Sequence, residues 1–343
     1  MHSSAAPRLA SIVATLALVL LVGLAGAQSR AVPCTTASPD CHEHFAVAGG
    51  LTIGCFRTFP LLTENPAITR AVIVVHGSGR NNDRYFKAGA DSAVAAGVAS
   101  EVLVVGPGFR MLEDKPAKNE LYWDEEDWWK TGGPSTKDLP TSVSSFEVMD
   151  RLVTALADRS RFPNLRTIVV SGHSAGGQYV QRYAVGTQVD MKLPGIQMKF
   201  VVANPSSYVY LNDQRPLPFA DGFAVPPAQP DPCADYDTYK YGLKGRNEYM
   251  SRLDASALVE RYRRRHVTYL LGASDADATD DGLDTRCGGM LQGRFRLERG
   301  FNYKAHMDRF FSPHGHRVVL VPLIGHEGDR MFKSIEGQLV LFK

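Results

Sequence analysis

The chain has little net charge, few tryptophans and only one long apolar run among its 343 residues. Its 38 lysines and arginines offset 36 aspartates and glutamates, which gives a formal net charge of +2. No strong overall field therefore attracts a polyanion, and we expect no nucleic-acid partner. No repeat with a period of about 20–50 residues is visible, which excludes a solenoid. The content of 44% apolar and 22% charged residues excludes a disordered or fibrous chain.

The one long apolar run lies near the N-terminus. Residues from Leu9 to Ala25 are apolar except for one serine and one threonine, and Ala25-Gly26-Ala27 supplies small residues at the end of the run. This pattern is typical of a secretory signal peptide spanning residues 1–27, cleaved after Ala27. An uncleaved membrane anchor is the alternative, because the run approaches the ~20 residues that span a bilayer. We expect a secreted or periplasmic protein, with no stable membrane insertion after cleavage.

Cysteine is scarce, and its odd number has a consequence. Cys34, Cys41 and Cys55 lie close together in the sequence, so we expect one disulfide bond among them. Cys233 and Cys287 can form the other, and one thiol is left over. No Cys-x-x-Cys or His/Cys ligand spacing occurs, so a structural zinc site is not predicted. Nothing in the sequence indicates a metal or an organic cofactor.

Short runs of β-branched residues alternate with helical patterns in the rest of the chain. The runs lack the alternation of half-exposed strands, which indicates parallel strands covered on both faces. Helices are predicted over residues 83–98, over 142–158 with Thr141 or Ser142 as N-cap, and after residue 174. The predicted strands are residues 71–75, 101–105, 167–170, 199–203, 266–271 and 317–321. The sequence therefore predicts an α/β fold with a doubly wound, mostly parallel sheet.

Three further segments complete the predicted organisation. Residues from Phe45 to Phe59 indicate an N-terminal antiparallel hairpin that turns at Gly49-Gly50. Residues 209–265 hold many Pro, Tyr and Asp residues, then a helical pattern over residues 246–265, and no strand-like run. We therefore predict an insertion that covers the sheet as a cap or lid. Residues 278–312 are similarly irregular. No linker divides the chain, and residues 28–343 are predicted to form a single domain.

A G-x-S-x-G motif follows one of the predicted strands. Gly172-His173-Ser174-Ala175-Gly176 lies between the strand-like TIVVS and the helix-forming GGQYVQRYAV. This context favours a tight strand-to-helix turn that exposes Ser174 as a nucleophile. The alternative is an ordinary turn with an idle serine.

With this motif, residues 45–343 resemble the α/β-hydrolase superfamily. The resemblance implies a nucleophile, an acid and a histidine in that order along the chain. Asp275 follows the strand VTYLL and His326 follows the strand RVVLV, so Ser174, Asp275 and His326 occur in the required order. The histidine would accept the proton of the serine, and the carboxylate would orient the imidazole.

The acid is open to a second choice. Asp277 lies only two residues after Asp275, and the resemblance favours Asp275, which stands three residues after Gly272. An irregular calcium site is a different interpretation of the same loop, although the EF-hand spacing is not met. The loop also contains Asp280, Asp281 and Asp284.

Other residues are candidates for binding the substrate. The N–H groups of Ala175 and Ser78 are predicted to form the oxyanion hole, with Gly79 as the alternative to Ser78. Tyr85 follows the same glycine turn and is a further candidate for the pocket. The three tryptophans of the chain, Trp123, Trp128 and Trp129, either line the cleft or form a structural cluster. The basic run 261–266 is interpreted as a solvated helix end.

The leading hypothesis is a secreted serine hydrolase that cleaves carboxylic esters without a cofactor. The expected substrates are short acyl esters, plant-wall esters or aliphatic polyesters. A peptidase or amidase with the same triad is the enzymatic alternative. A non-catalytic binding protein on a hydrolase scaffold is the alternative from another class. The sequence makes no prediction of the oligomeric state.

Overall fold

A computed structural model describes residues 1–2, 31–218, 220–227 and 233–343. Apart from its first two residues, the predicted signal peptide lies outside the described residues, and so does its cleavage site. Residues 31–343 form one compact unit. Within the described ranges, no helix combines the length and the hydropathy needed to cross a bilayer.

An eight-stranded sheet forms the centre of the molecule, in the order β1-β2-β4-β3-β5-β6-β7-β8. The strands are β1 (His42–Ala48), β2 (Leu51–Arg57), β3 (Arg70–Val75), β4 (Val102–Pro107), β5 (Thr167–His173), β6 (Gln197–Ala203), β7 (His266–Gly272) and β8 (His316–Val321). Neighbouring strands from β4 to β8 are parallel, whereas β2 is antiparallel to both β1 and β4. The predicted mostly parallel sheet with an antiparallel N-terminal hairpin is confirmed.

Helices connect the strands and cover both faces of the sheet. They are α1 (Asn82–Ala95), α2 (Glu126–Thr131), α3 (Ser145–Leu156), α4 (Ala175–Gly186), α5 (Ala255–Arg263), α6 (Cys287–Met290), α7 (Arg296–Phe310), α8 (Gly328–Lys333) and α9 (Ile335–Phe342). Single 3-10 turns occur at Pro39–Cys41, Leu112–Asp114, Val189–Lys192 and Met250–Arg252. Two-residue strands pair Arg110–Met111 with Tyr122–Trp123, and Arg215–Pro216 with Phe223–Ala224.

Alternate residues of the central strands supply two separate hydrophobic cores. In β3, Val72 and Val74 pack in the core that includes residues of α1, α8 and α9, whereas Ile73 and Val75 pack in the core with α3 and α4. All four side chains are fully buried. Burial on both faces explains why the strand carries a continuous apolar run.

The local sequence sets the turn of the hairpin and the start of α3. Gly49 and Gly50 have φ values of 57° and 80°, a left-handed conformation that favours glycine. Helix α3 begins after Ser144, whose side chain accepts a hydrogen bond from the N–H of Phe146. Neither of the predicted caps, Thr141 and Ser142, caps this helix, because it starts about one turn later than the apolar pattern indicates.

The two irregular segments differ in how well the sequence describes them. Helix α5 lies within the helical pattern of residues 246–265, and Met250 and Tyr262 from this stretch are fully buried in the main core. Residues 278–312 include the 15-residue helix α7, so the prediction of irregular structure is wrong there. The buried face of α7 carries Arg296 and Arg299, which hides its amphipathic pattern.

The basic run after α5 is also more buried than predicted. Arg265 is buried and donates to the carbonyl groups of Ala184 and Thr187, and it pairs with Asp190. Arg261 pairs with the same carboxylate. The run therefore fastens α5 to the turn after α4, and only part of it is a solvated helix end.

Both disulfide bonds join cysteines that the sequence analysis expects to pair. Cys34 pairs with Cys41 and Cys233 pairs with Cys287. Cys55 keeps its thiol and is fully buried, and burial raises the pKa of this thiol.

Candidate active site

Ser174 stands at a sharp turn between β5 and α4. Its φ of 59° and ψ of −119° are strained for a residue with a side chain. A Cβ atom on Gly172 would lie 2.4 Å from the carbonyl oxygen of Gly176, and a Cβ on Gly176 would lie 2.4 Å from that of Val75. Only glycine fits at either position, so the motif is required by the close packing of the turn.

Two hydrogen bonds connect Ser174 to an acid through His326. Nε2 of His326 lies 2.9 Å from Oγ of Ser174, and Nδ1 lies 2.8 Å from Oδ2 of Asp275. Asp275 follows β7 and His326 follows β8, so both lie beyond the carboxyl ends of parallel strands. The side chain of Asp275 is 3% exposed and that of His326 is 22% exposed. The arrangement lets Nε2 accept the serine proton while the carboxylate holds Nδ1–H.

Asp277, the second candidate for the acid, is turned away from this cluster. Its carboxylate is exposed and accepts hydrogen bonds from the N–H and the hydroxyl of Thr279, at 2.8 and 2.7 Å. These hydrogen bonds lower the pKa of Asp277. The geometry places Asp275, and not Asp277, beside the imidazole.

Arg296 lies on the far side of the Asp275 carboxylate. Its Nη1 is 3.5 Å from Oδ1 of Asp275, and its Nη2 is 2.7 Å from Oδ1 of Asp280. The guanidinium is fully buried. No sequence pattern predicts this residue, because Arg296 lies 21 positions after Asp275 and no motif connects the two.

His173 and Tyr85 form a second layer behind the nucleophile. The rings of His173 and His326 are 4.5 Å apart, and Nδ1 of His173 forms a 3.0 Å hydrogen bond with the hydroxyl of Tyr85. Burial, and then the neighbouring His326, hold the pKa of His173 well below its ordinary value. Burial also raises the pKa of Tyr85 to about 12. Tyr85, predicted as a pocket residue, is therefore neutral and hydrogen-bonds to His173, and it is not among the residues that line the cavity beside Ser174.

A buried histidine shapes the predicted oxyanion loop after β3. The N–H of Phe109 donates to Nε2 of His76 at 2.9 Å, so Nδ1 carries the proton and donates to the carbonyl of Gly77 at 2.8 Å. Burial lowers the pKa of His76 to about 4, which keeps the ring neutral. Ser78, next in the chain, lines the same cavity as Ser174 and Ala175. Helix α4 begins at Ala175, where N–H groups lack partners within the helix.

The comparisons with known proteins agree with this architecture. No protein-family model matches the chain, and no curated protein matches it. Among solved structures, the chain is similar to poly(aspartic acid) hydrolase-1 from Sphingomonas sp. KT-1, with 21% identity and a TM-score of 0.62, over 88% of this chain and 98% of that one. It is also similar to LpqC, a poly(3-hydroxybutyrate) depolymerase from Bordetella parapertussis, with 19% identity and a TM-score of 0.61, over 87% and 89% of the two chains.

The chain has the α/β-hydrolase fold. The strand order, the serine on a sharp strand-to-helix turn and the similarity to these structures all agree on this point. The fold predicted from the resemblance is confirmed.

On this α/β-hydrolase scaffold, two of the three tryptophans belong to the core. Trp123 and Trp129 are fully buried, and the indole N–H of Trp123 donates to the carbonyl of Gly133. Trp129 stacks on Phe109 at 5.8 Å. Of the two alternatives left open by the sequence, this burial favours the structural cluster for Trp123 and Trp129, which do not line the cleft. Trp128 is half-buried and packs against the same core.

The acidic loop after Asp275 contributes to the cleft and to ion pairs. Asp281 and Asp284 line the cavity beside Ser174, whereas Asp280 pairs with Arg296. Within the part of the chain that the structure describes, no three His, Cys, Asp or Glu side chains are grouped to hold a metal ion.

Proposed function

We propose that the protein is a serine hydrolase that cleaves carboxylic esters through an acyl-enzyme intermediate. The observation that carries the proposal is the position of His326, within hydrogen-bond distance of both Ser174 and Asp275. A serine hydroxyl is a weak nucleophile unless a base is held beside it. The two disulfide bonds support an oxidising, extracytoplasmic location for this activity.

The mechanism uses each group in turn. Oγ of Ser174 attacks the ester carbonyl carbon while its proton passes to Nε2 of His326. The N–H groups of Ala175 and Ser78 donate to the oxyanion that forms. The tetrahedral intermediate then collapses, and the leaving alkoxide takes the proton from His326. A water molecule attacks the acyl-enzyme with the same base, which releases the carboxylic acid and restores Ser174. Asp275 stabilises the imidazolium in both halves.

The ester is preferred over the amide as the cleaved bond, with a peptidase or amidase as the alternative. One structural neighbour is named for hydrolysis of poly(aspartic acid) and the other for depolymerisation of poly(3-hydroxybutyrate). A polyamide and a polyester are therefore both represented on this fold. The described part of residues 31–343 forms one unit, without a separate domain that would select peptides, and our preference for the ester rests on this feature.

The triad is tested with a fluorophosphonate probe and three variants. We expect the probe to label Ser174 alone, and Ser174→Ala to lower kcat on p-nitrophenyl acetate by about 10⁴–10⁶. Asp275→Asn is expected to lower kcat by about 10⁴. Asp277→Asn is the matched control and is expected to change kcat less than about twofold, because its carboxylate contacts only Thr279 among the hydrogen bonds described.

Two results would contradict this assignment. Labelling that persists in Ser174→Ala would show that Ser174 is not the nucleophile. A large loss of kcat in Asp277→Asn, with a near-normal kcat in Asp275→Asn, would assign the acid to Asp277. Faster turnover of an aminoacyl amide than of the matched ester would show that the protein is an amidase and not an esterase.

A further inference from the structure

The cavity beside Ser174 has a volume of about 350 Å³ and is built from five segments of the chain. These are the loop after β3, helix α2, the start of α4, the loop after β6 and the loop before α6. Its lining residues are Ser78, Glu126, Lys130, Ser174, Ala175, Gln178, Ser206, Asp281, Gly282, Leu283, Asp284, Thr285 and Arg286. Most of these side chains are polar or charged.

Apolar surface is the smaller part of this lining. Leu283 is its one large aliphatic residue among those described, and it is only 5% exposed. Trp129 and Tyr179 are next in the chain to the lining residues Lys130 and Gln178, but both are fully buried in the core and do not line the cavity. An alkyl chain in the cavity would remove water from polar groups without gaining apolar contacts in return, which is unfavourable.

A network of ion pairs fixes one wall of the cavity in this polar state. Asp127 lies 2.9 Å from Nζ of Lys240, 3.1 Å from Nζ of Lys130 and 2.8 Å from Nη1 of Arg286. Asp284 lies 3.0 Å from Nε of Arg286 and 3.3 Å from Lys240. The network connects α2 to the loop before α6. These charged side chains therefore cannot move away from the cavity without breaking several ion pairs.

Arg286 is the member of this network that is most open to a ligand. Its side chain is 58% exposed, whereas those of Lys130 and Lys240 are 9% and 7% exposed. A guanidinium has five N–H donors in a fixed plane. Its partners Asp127 and Asp284 both keep Lys240 as a second cation, so the wall remains charge-paired if Arg286 is replaced.

We propose that this cavity selects esters whose group beside the scissile bond is short and carries hydrogen-bonding atoms, and that it disfavours unsubstituted alkyl groups there. The proposal rests on the proposed function and names the substrate class for the same site. It disfavours long-chain lipids and unsubstituted aliphatic polyesters as substrates. Arg286 is the specificity residue that the geometry points to.

Paired substrates of equal size test the proposal on both sides of the ester. The acyl series compares p-nitrophenyl methoxyacetate with p-nitrophenyl butyrate, and the alcohol series compares 2-methoxyethyl acetate with butyl acetate. Octanoyl and octyl esters complete the two series, and each kcat/KM is divided by the rate of hydroxide-catalysed hydrolysis. We expect the polar member to be preferred by about fivefold in at least one series, because one hydrogen bond contributes about 1 kcal/mol, and the eight-carbon members to be the poorest.

A matched pair of variants assigns the preference to the cavity wall. Arg286→Leu is expected to shift the polar-to-alkyl ratio about tenfold towards the alkyl ester. Arg264→Leu removes an exposed arginine that pairs with Glu260 on α5, and it is expected to leave the ratio unchanged. Thermal unfolding of both variants checks that the fold is intact.

The outcomes separate this proposal from the one on which it rests. Alkyl esters cleaved as well as their polar partners in both series would overturn the proposal, and so would an unchanged ratio in Arg286→Leu. In either case, hydrolysis that still depends on Ser174 would leave the serine esterase standing. If no ester is cleaved in a Ser174-dependent manner, the proposed function itself fails.

Discussion

Arg296 places a positive charge in the core directly behind the carboxylate that faces His326. A buried carboxylate is costly unless it is paired and hydrogen-bonded. Arg296 offers Asp275 a charged partner on Oδ1 and leaves Oδ2 for the imidazole. It also bonds Asp280, which fixes the guanidinium from the other side. We therefore expect Arg296 to act as a positioning residue for the acid.

Replacing Arg296 is expected to lower kcat while KM changes little. Arg296→Met should reduce kcat by about tenfold or more, because Asp275 loses the partner that fixes its orientation, and Arg296→Lys should recover part of the loss. Arg299→Met is the control, because Arg299 is equally buried on α7 but donates to the carbonyl groups of Gly293 and Ser206. Steady-state kinetics and unfolding temperatures of all three variants show whether Arg296 acts on kcat or on the stability of the fold. Equal losses of kcat in Arg296→Met and Arg299→Met would indicate a general effect on the fold.

The residues proposed to take part in bond making could be named from the sequence, and the charged residues behind them could not. Ser174 lies in a motif whose glycines are required by close packing, and Asp275 and His326 each follow an apolar strand. The motif, the family resemblance and the order along the chain predicted these three residues, with Asp277 left open as a second choice for the acid. Arg296 and Lys240 are charged residues in segments without a motif, and only the folded chain brings them to the site.

At the scale of elements, the central strands were predictable because their side chains are apolar on both faces. Helix α7 was not, because its buried positions include two arginines and a tyrosine in place of aliphatic residues. The loop before α6 was equally hidden from the sequence. It forms a wall of the cavity because Arg286 pairs with Asp127 of α2 and because Cys287, next in the chain, is bonded to Cys233.

The two disulfide bonds are expected to differ in their contributions to stability and to activity. The Cys233–Cys287 bond spans 54 positions and the Cys34–Cys41 bond spans 7. Restriction of the unfolded chain predicts losses of about 4 and about 2 kcal/mol when the respective pairs are replaced by serine. Only loss of Cys233–Cys287 is expected to raise KM, because it frees the loop that carries Arg286.

Chemical unfolding and ester kinetics of the two double variants measure both effects. Cys34→Ser/Cys41→Ser is the control for the removal of a bond distant in sequence from the cavity loop. Equal unfolding free energies and equal KM values in the two double variants would show that the 233–287 bond does not hold the wall of the cavity.

At the scale of the whole molecule, the charges nearly cancel in number, but some of them are enclosed by the fold. Lys240 is buried between Asp127 and Asp284. Burial outweighs these two carboxylates and lowers the pKa of Lys240 to about 8. The ordinary value for lysine is about 10.4. The folded chain therefore releases this proton at a lower pH than the unfolded chain does, which couples the stability of the fold to pH.

The sign of this coupling gives a prediction for the unfolding free energy. Between about pH 8 and about pH 10.4, the unfolded chain holds a proton on Lys240 that the folded chain has lost, so this residue makes stability rise with pH. The free energy of unfolding of the wild type, minus that of Lys240→Met, should increase by about 1–3 kcal/mol across this window and stay constant below it. The difference cancels the titration of tyrosines common to both proteins. Lys244→Met is the control, because Lys244 is exposed and its ion pair with Asp237 raises its pKa. The unfolding free energy of the wild type, minus that of Lys244→Met, should therefore stay constant up to about pH 10.4. Urea unfolding at steps of pH from 7 to 10.4 gives the unfolding free energies of all three proteins. If the wild-type value minus the Lys240→Met value stays constant or falls over this range, burial does not lower the pKa of Lys240.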